Sequence, residues 1–141
     1  MKKLWQVGIL LALTAVAAAA TAPPPELRGI WATDGAEFKG DAIWNGSALY
    51  LDSDGVGALV GGDGTDVLGV RVVFVSYNTS THELTLNLTE YGKVTGSAVM
   101  IFMPAEQVLS SPKKPGERYH RRTGVVSAEI RKSLGLGPQV P

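Results

Sequence analysis

Val70-Arg71-Val72-Val73-Phe74-Val75-Ser76-Tyr77 is the run densest in β-branched and aromatic residues, and its pairing with the next segment decides the fold. Such residues fit a pleated, half-buried surface. Asn78 to Thr81 then supplies a turn, after which Leu84, Leu86 and Leu88 alternate with Thr85, Asn87 and Thr89. Alternation of leucine with polar residues marks a strand with one buried and one wet face. Strand, short turn and strand together predict an antiparallel hairpin at the centre of the chain.

Working toward the C-terminus, Gly92-Lys93 turns the chain again and residues 96–103 form another strand, stopped by Pro104. Val99, Ile101 and Met103 fall on one side of it, and Ala98, Met100 and Phe102 on the other. A strand apolar on both sides is central or covered by another segment. Toward the N-terminus, Asn45-Gly46, Asp54-Gly55 and Asp63-Gly64 recur nine residues apart. These are the pairs a type I′ turn takes, because both central residues need positive φ. They delimit short strands at 47–51 and 56–60, and residues 27–33, closed by Asp34-Gly35, make the first strand. Six strands joined by tight turns predict an all-β fold: a small antiparallel up-and-down meander that closes into a barrel to hide its edges.

Composition agrees with this class. The chain has 141 residues, 45% of them apolar and 18% charged, enough for one folded core. Seventeen glycines and eight prolines suit a turn-rich β domain. The absence of cysteine excludes disulfides, thiolate zinc sites, iron–sulfur clusters and a cysteine nucleophile. Two histidines are too few for a histidine metal centre, and no cofactor is expected.

The N-terminus reads as an address. Lys2 and Lys3 precede an apolar run from 4 to 20, which ends in the A-x-A pattern of Ala18 and Ala20 and is followed by Pro23-Pro24-Pro25. This is the layout of an export signal, and the run is just short of the ~20 residues a membrane span needs. The expected organisation is a signal peptide at 1–20, a proline-rich linker at 21–26, the barrel at 27–109 and a basic C-terminal tail at 110–141. The expected location is the periplasm or the outside of the cell, with no lipid anchor because no cysteine follows the signal.

Charge is segregated although the total is zero. Residues 21–111 carry four basic and eleven acidic side chains, a net of −7, whereas 112–141 carry seven basic and two acidic, a net of +5. Residues 110–122 read as exposed coil, and 127–134 as a short helix with Ser127 as N-cap, Glu129 in the first turn, Arg131 and Lys132 near the end, and Gly135 as terminator. Two turns of helix form only when docked. The tail has three readings: it folds back on its own acidic body, it is an arm for an anionic surface, or it docks a partner. Export removes nucleic acid from the set of partners. The candidate binding residues are Lys113, Lys114, Arg118, Arg121 and Arg122 in the tail. Trp44 joins them as an aromatic anchor at a strand end, with core packing as its alternative.

Gly29-x-Trp31 on the first strand, followed by the up-and-down run, resembles the opening of lipocalin- and avidin-like (calycin-type) barrels. The resemblance implies a Trp plugging one end of the barrel. Those barrels have eight strands; a narrower six-stranded one fills its interior with side chains instead of a ligand.

Chemical motifs are sparse. Gly61-Gly62-Asp63-Gly64-Thr65-Asp66-Val67-Leu68-Gly69 matches the calcium-binding nonapeptide of β-rolls. Each calcium there is shared between stacked repeats, and the preceding copy has Gly57 where the second aspartate belongs. Hairpin turns account for the same Asp-Gly pairs, and for Asp52-x-Asp54-Gly55, without metal. No nucleophile-elbow, zinc-protease or phosphate-loop pattern occurs. His82 and His120 read as polar residues of a turn and of the basic coil. The sequence therefore predicts a non-enzymatic exported binding module for a protein or envelope component, a periplasmic hydrolase inhibitor being one form. The alternatives are a small-molecule carrier with a barrel cavity and a calcium-stabilised repeat domain. Peripheral membrane contact through the tail is a further expectation.

Overall fold

In the computed structural model residues 21–139 are described; residues 1–20, read above as an export signal, lie outside the described residues. The leucine alternation of the sequence is a strand with Leu84 and Leu86 buried, and the run before it is its antiparallel partner. The elements in chain order are a single 3₁₀ turn Pro25–Leu27, then β1 Gly29–Thr33, β2 Glu37–Lys39, β3 Ala42–Leu51, β4 Val56–Asp63, β5 Val67–Asn78, β6 Glu83–Glu90, β7 Lys93–Met103, β8 Val108–Ser111, β9 Lys114–Thr123 and the helix α1 Ala128–Ser133.

From β3 to β9 each strand pairs antiparallel with the next, and β1 closes the circle by pairing with both β3 and β9. Eight strands make the barrel and β2 is a short flap on β3. The class is as the sequence predicts; the count of six is corrected to eight. Of the two missing barrel strands, β9 lies inside what reads as a tail and β8 straddles its start at 110. β9 carries Lys114, Glu117, Arg118, Arg121 and Arg122, with Pro115 and Gly116, and Tyr119 is its only large apolar residue. Without hydrophobic alternation such a strand is invisible to pattern reading. It forms because β1 and β8 offer it backbone partners on both sides.

A second correction concerns Asn45-Gly46, which is not a turn. β3 runs straight through it, with Gly46 at φ +103 and Ala36 seated where a side chain would be, 3.1 Å from an added Cβ. Within and beside the segment read as a linker, Pro23 is fully buried and Leu27 is part of the interior.

The alternation inside the wall sorts side chains into two cores. Inside the barrel, Leu27, Trp31, Leu49, Leu51, Val72, Phe74, Leu84, Leu86, Met100, Phe102, Leu109 and Tyr119 form one contiguous cluster. Trp31 is wholly buried, stands edge-on to Phe102 at 5.9 Å, and its indole N–H donates to Leu27 O. Outside the barrel, Ile30, Ala32, Ala48, Tyr50, Val56, Ala58 and Val60 are covered by Val126, Ile130 and Leu136 of the C-terminal segment. Ser127 caps α1 through its Oγ, which accepts from Ile130 N at 3.1 Å.

This geometry defines two ends. The 3₁₀ turn, the β3–β4, β5–β6 and β7–β8 turns and the end of β9 lie at the plugged end. The β4–β5, β6–β7 and β8–β9 turns lie at the other, open end. There the wall is incomplete: β7 pairs with β8 only over Ile101–Met103, because β8 stops at Ser111 before Pro112, which has no N–H to continue the ladder. From Lys93 to Met100 no described strand pairs with β7 on that side. β7 is central in the sheet, between β6 and β8, which is one of the two arrangements its sequence allows, but its outer face is uncovered, with Val99 40% exposed.

Candidate functional site at the open end of the barrel

The hairpin tips gather exposed apolar side chains. Leu68 at the start of β5 is 81% exposed, Val67 beside it and Val94 on β7 are exposed, and Tyr91 in the β6–β7 turn is fully so. Tyr91 has φ +52, a left-handed conformation that a ring-bearing residue adopts at a cost of about 1–2 kcal/mol. Large apolar residues projecting together at one end, one of them on strained backbone, fit a contact surface.

Beside the tips, Thr33, Asp34, Gly46, Ser47, Gly116, Glu117 and Arg118 line a recess of about 470 Å³. Two of its lining residues are joined through Tyr119: Ser47 Oγ is 2.9 Å from the Tyr119 hydroxyl, which donates to Glu117 Oε1 at 3.3 Å. Burial pushes the Tyr119 phenol above its ordinary value, so it stays neutral. Two further recesses, of about 640 and 270 Å³, border α1 on the outside of the wall.

The residues singled out in the sequence do not form one site. Lys113 and Lys114 are exposed in and beside the β8–β9 turn at the open end. The arginines instead bind the body. Arg118 pairs with Glu106 at 2.9 Å. Arg121 donates to Pro25 O and Arg28 O and stacks over Trp31 at 5.3 Å, tying β9 to the plug. Arg122 donates to Gly40 O, lies 3.5 Å from Asp41 and covers the Phe38 ring at 4.0 Å. Trp44 lies within β3, half-buried, with the Lys39 ammonium 5.1 Å over its ring. Of the three readings of the basic segment, folding back on the acidic body is the arrangement these contacts display.

The strongest tie carries no local sequence signal. Arg131 is buried, and its guanidinium donates to Asp52 and Asp54, each at 3.0 Å, and to the carbonyls of Gly137 and Pro138. The aspartates of Asp52-x-Asp54-Gly55 thus hold the C-terminal segment. Asp63 of the nonapeptide accepts from the backbone N–H groups of Thr65 and Asp66, which hold its carboxyl below the usual range. That nonapeptide spans the β4–β5 hairpin. His120 stands in β9 rather than in coil, with Nε2 2.9 Å from Asp34; His82 is in its turn, with Nδ1 2.9 Å from the Tyr77 hydroxyl. Lys93, Lys113 and Lys114 make no ion pair among the described residues. No described helix is long and apolar enough to cross a membrane.

The fold and the site define a closed eight-stranded antiparallel barrel with a plugged end and an apolar, partly unzipped end. No family model, no curated protein and no solved structure matches the chain.

Proposed function

We propose that the chain is a non-enzymatic exported binding module built on a calycin-type barrel, and that it recognises a protein or envelope component with its open end. The observation that carries this is the pairing of a filled interior with projecting apolar tips. Trp31, Phe74, Leu84, Leu86, Phe102 and Leu109 occupy the space in which a carrier would hold its ligand, whereas Leu68 and Tyr91 stand in water. An eight-stranded barrel is just wide enough for its own side chains or one small ligand, and here the side chains take the room. The calycin-type assignment rests on Gly29-x-Trp31 at the plugged end. A hairpin tip bearing Tyr91 also suits insertion into the cleft of a hydrolase, the inhibitor form of this reading.

The test is capture from the native envelope by the processed protein and by a Leu68→Ser, Tyr91→Ser variant. Both positions are solvent-exposed, so stability should change by no more than about 0.5 kcal/mol each. Capture should fall sharply while the melting temperature holds. Undiminished capture would overturn the assignment of the open end. Binding of an apolar small molecule in place of envelope capture would turn the reading to a carrier.

A further inference from the structure

The seam between β7 and β8 is the feature the proposed function leaves unused. Phe102 N donates to His82 O at 2.9 Å, so Phe102 turns its backbone groups toward β6. Backbone groups of successive strand residues point to opposite sides. Ile101 therefore faces β8, and Val99 and Ser97, the next residues of the same parity, face the side where β8 has ended. Both are exposed. Below them a register shift between β6 and β7 at Thr95 bounds the regular edge. From Val94 to Met103 the strand contains no charge and no proline, the usual devices that blunt an edge.

Charge brackets this edge. Lys93 sits at its outer end, and Lys113 and Lys114 sit where β8 turns away. Glu117 accepts from Tyr119 and Glu106 pairs with Arg118, while Glu83 and Glu90 stand on β6, opposite Ile101 and Lys93, on the far side of β7 from the seam. A second copy of the chain laid antiparallel on β7 would bring its own Lys93 toward Lys113, placing like charges together. An extended segment with acidic ends meets lysines at both.

We infer that the free edge of β7 at Ser97 and Val99, flanked by Lys93, Lys113 and Lys114, receives an extended acidic segment of a partner protein as an added β-strand. This rests on the reading of the chain as a binding module and specifies the partner. Strand addition takes its affinity from main-chain hydrogen bonds and its selectivity from flanking groups. Here the main chain offers two N–H and two C=O groups, and the lysines select for carboxylates.

The experiment uses the processed full chain, ¹⁵N-labelled, titrated with a seven-residue peptide of alternating threonine and valine carrying glutamate at both ends. The same peptide with lysine ends, and an N-methylated acidic peptide, are the comparisons. The acidic peptide should shift the Ser97 and Val99 amide signals and slow their hydrogen exchange. The lysine-ended peptide should bind about tenfold more weakly, the size expected for two or three reversed surface charges. Lys113→Glu with Lys114→Glu should reverse that preference, and N-methylation should abolish binding. Ser97→Pro, which removes an N–H on the unpaired side of β7, should weaken binding with the sheet signature intact. Absence of any shift at Ser97 and Val99 would overturn the inference, as would equal binding of the two charged peptides. Slowed exchange that depends on protein concentration without peptide would assign the edge to a second copy instead. Envelope capture that depends on Leu68 and Tyr91 with a silent edge would leave the module standing and remove only this inference.

Discussion

At the scale of single residues, Arg131 shows how much one side chain can organise. It is buried, with two carboxylates and two backbone carbonyls as its principal hydrogen-bond acceptors. Breaking a buried ion pair by deleting one partner leaves uncompensated charge and costs about 3–5 kcal/mol. Arg131→Met is expected to lose that much in urea unfolding. Asn at both Asp52 and Asp54 in the same chain should return part of it, because the stranded charges are then gone. Full loss in the triple variant would show that packing, not charge, is the contribution. The sequence marks Arg131 only as a favourable charge near a helix end. Its partners are 77 and 79 residues away, and nothing local announces a contact of that range.

At the scale of elements, what can be read is what repeats. The β5–β6 hairpin, the place of the turns at Asp54-Gly55 and Asp63-Gly64, the end of β7 at Met103 and the Ser127 cap all come from short-range patterns, although the two turns are not of type I′, since φ is positive at the glycines and not at the aspartates. β2, β8 and β9 escape such reading because tertiary pairing, not side-chain alternation, makes them strands. Asn45-Gly46 misleads because a positive φ serves a mid-strand position under Ala36 as well as it serves a turn. The candidate site divides in the same way. Lys113 and Lys114 are at the open end, but the arginines that read as a binding arm hold the barrel together. Leu68 and Tyr91 carry no signal beyond ordinary strand and turn composition. Truncation separates the strand from the covering helix. A chain ended after Ser111 lacks the strand that pairs with β1 and β8, and should show no cooperative thermal transition by circular dichroism. A chain ended after Gly124 keeps all eight barrel strands and should retain the β-sheet signature. It should also bind an apolar dye through the uncovered face of Ile30, Ala48, Tyr50 and Val60. Equal stability of the two truncations would contradict the role given to β9.

At the scale of the whole molecule, two cores on opposite sides of one wall make the response to alkali predictable. Burial is the main cause that raises the phenols of Tyr50 and Tyr119 above the ordinary value of 10.0. The folded protein keeps these protons to higher pH than the unfolded chain, so above pH ~10 the unfolded state binds fewer protons and stability falls as pH rises. Below that value the contribution is fully present. Tyr50 accepts from Ile43 N and donates to Asp41 O, so Tyr50→Phe should cost about 1–3 kcal/mol at pH 8 by leaving a buried N–H without a partner. The same variant should lose less stability between pH 8 and pH 11 than the parent in urea melts at the two values. An unchanged alkaline slope would show that another group governs it. The placement of the described chain's two ends has a practical corollary. Thr21 packs its backbone on Gly55, and Gln139 reaches Ser53 and Asp52, so both ends emerge beside the β3–β4 turn. A fluorophore, a bead or a fused reporter attached at either one hangs from the face opposite Leu68 and Tyr91.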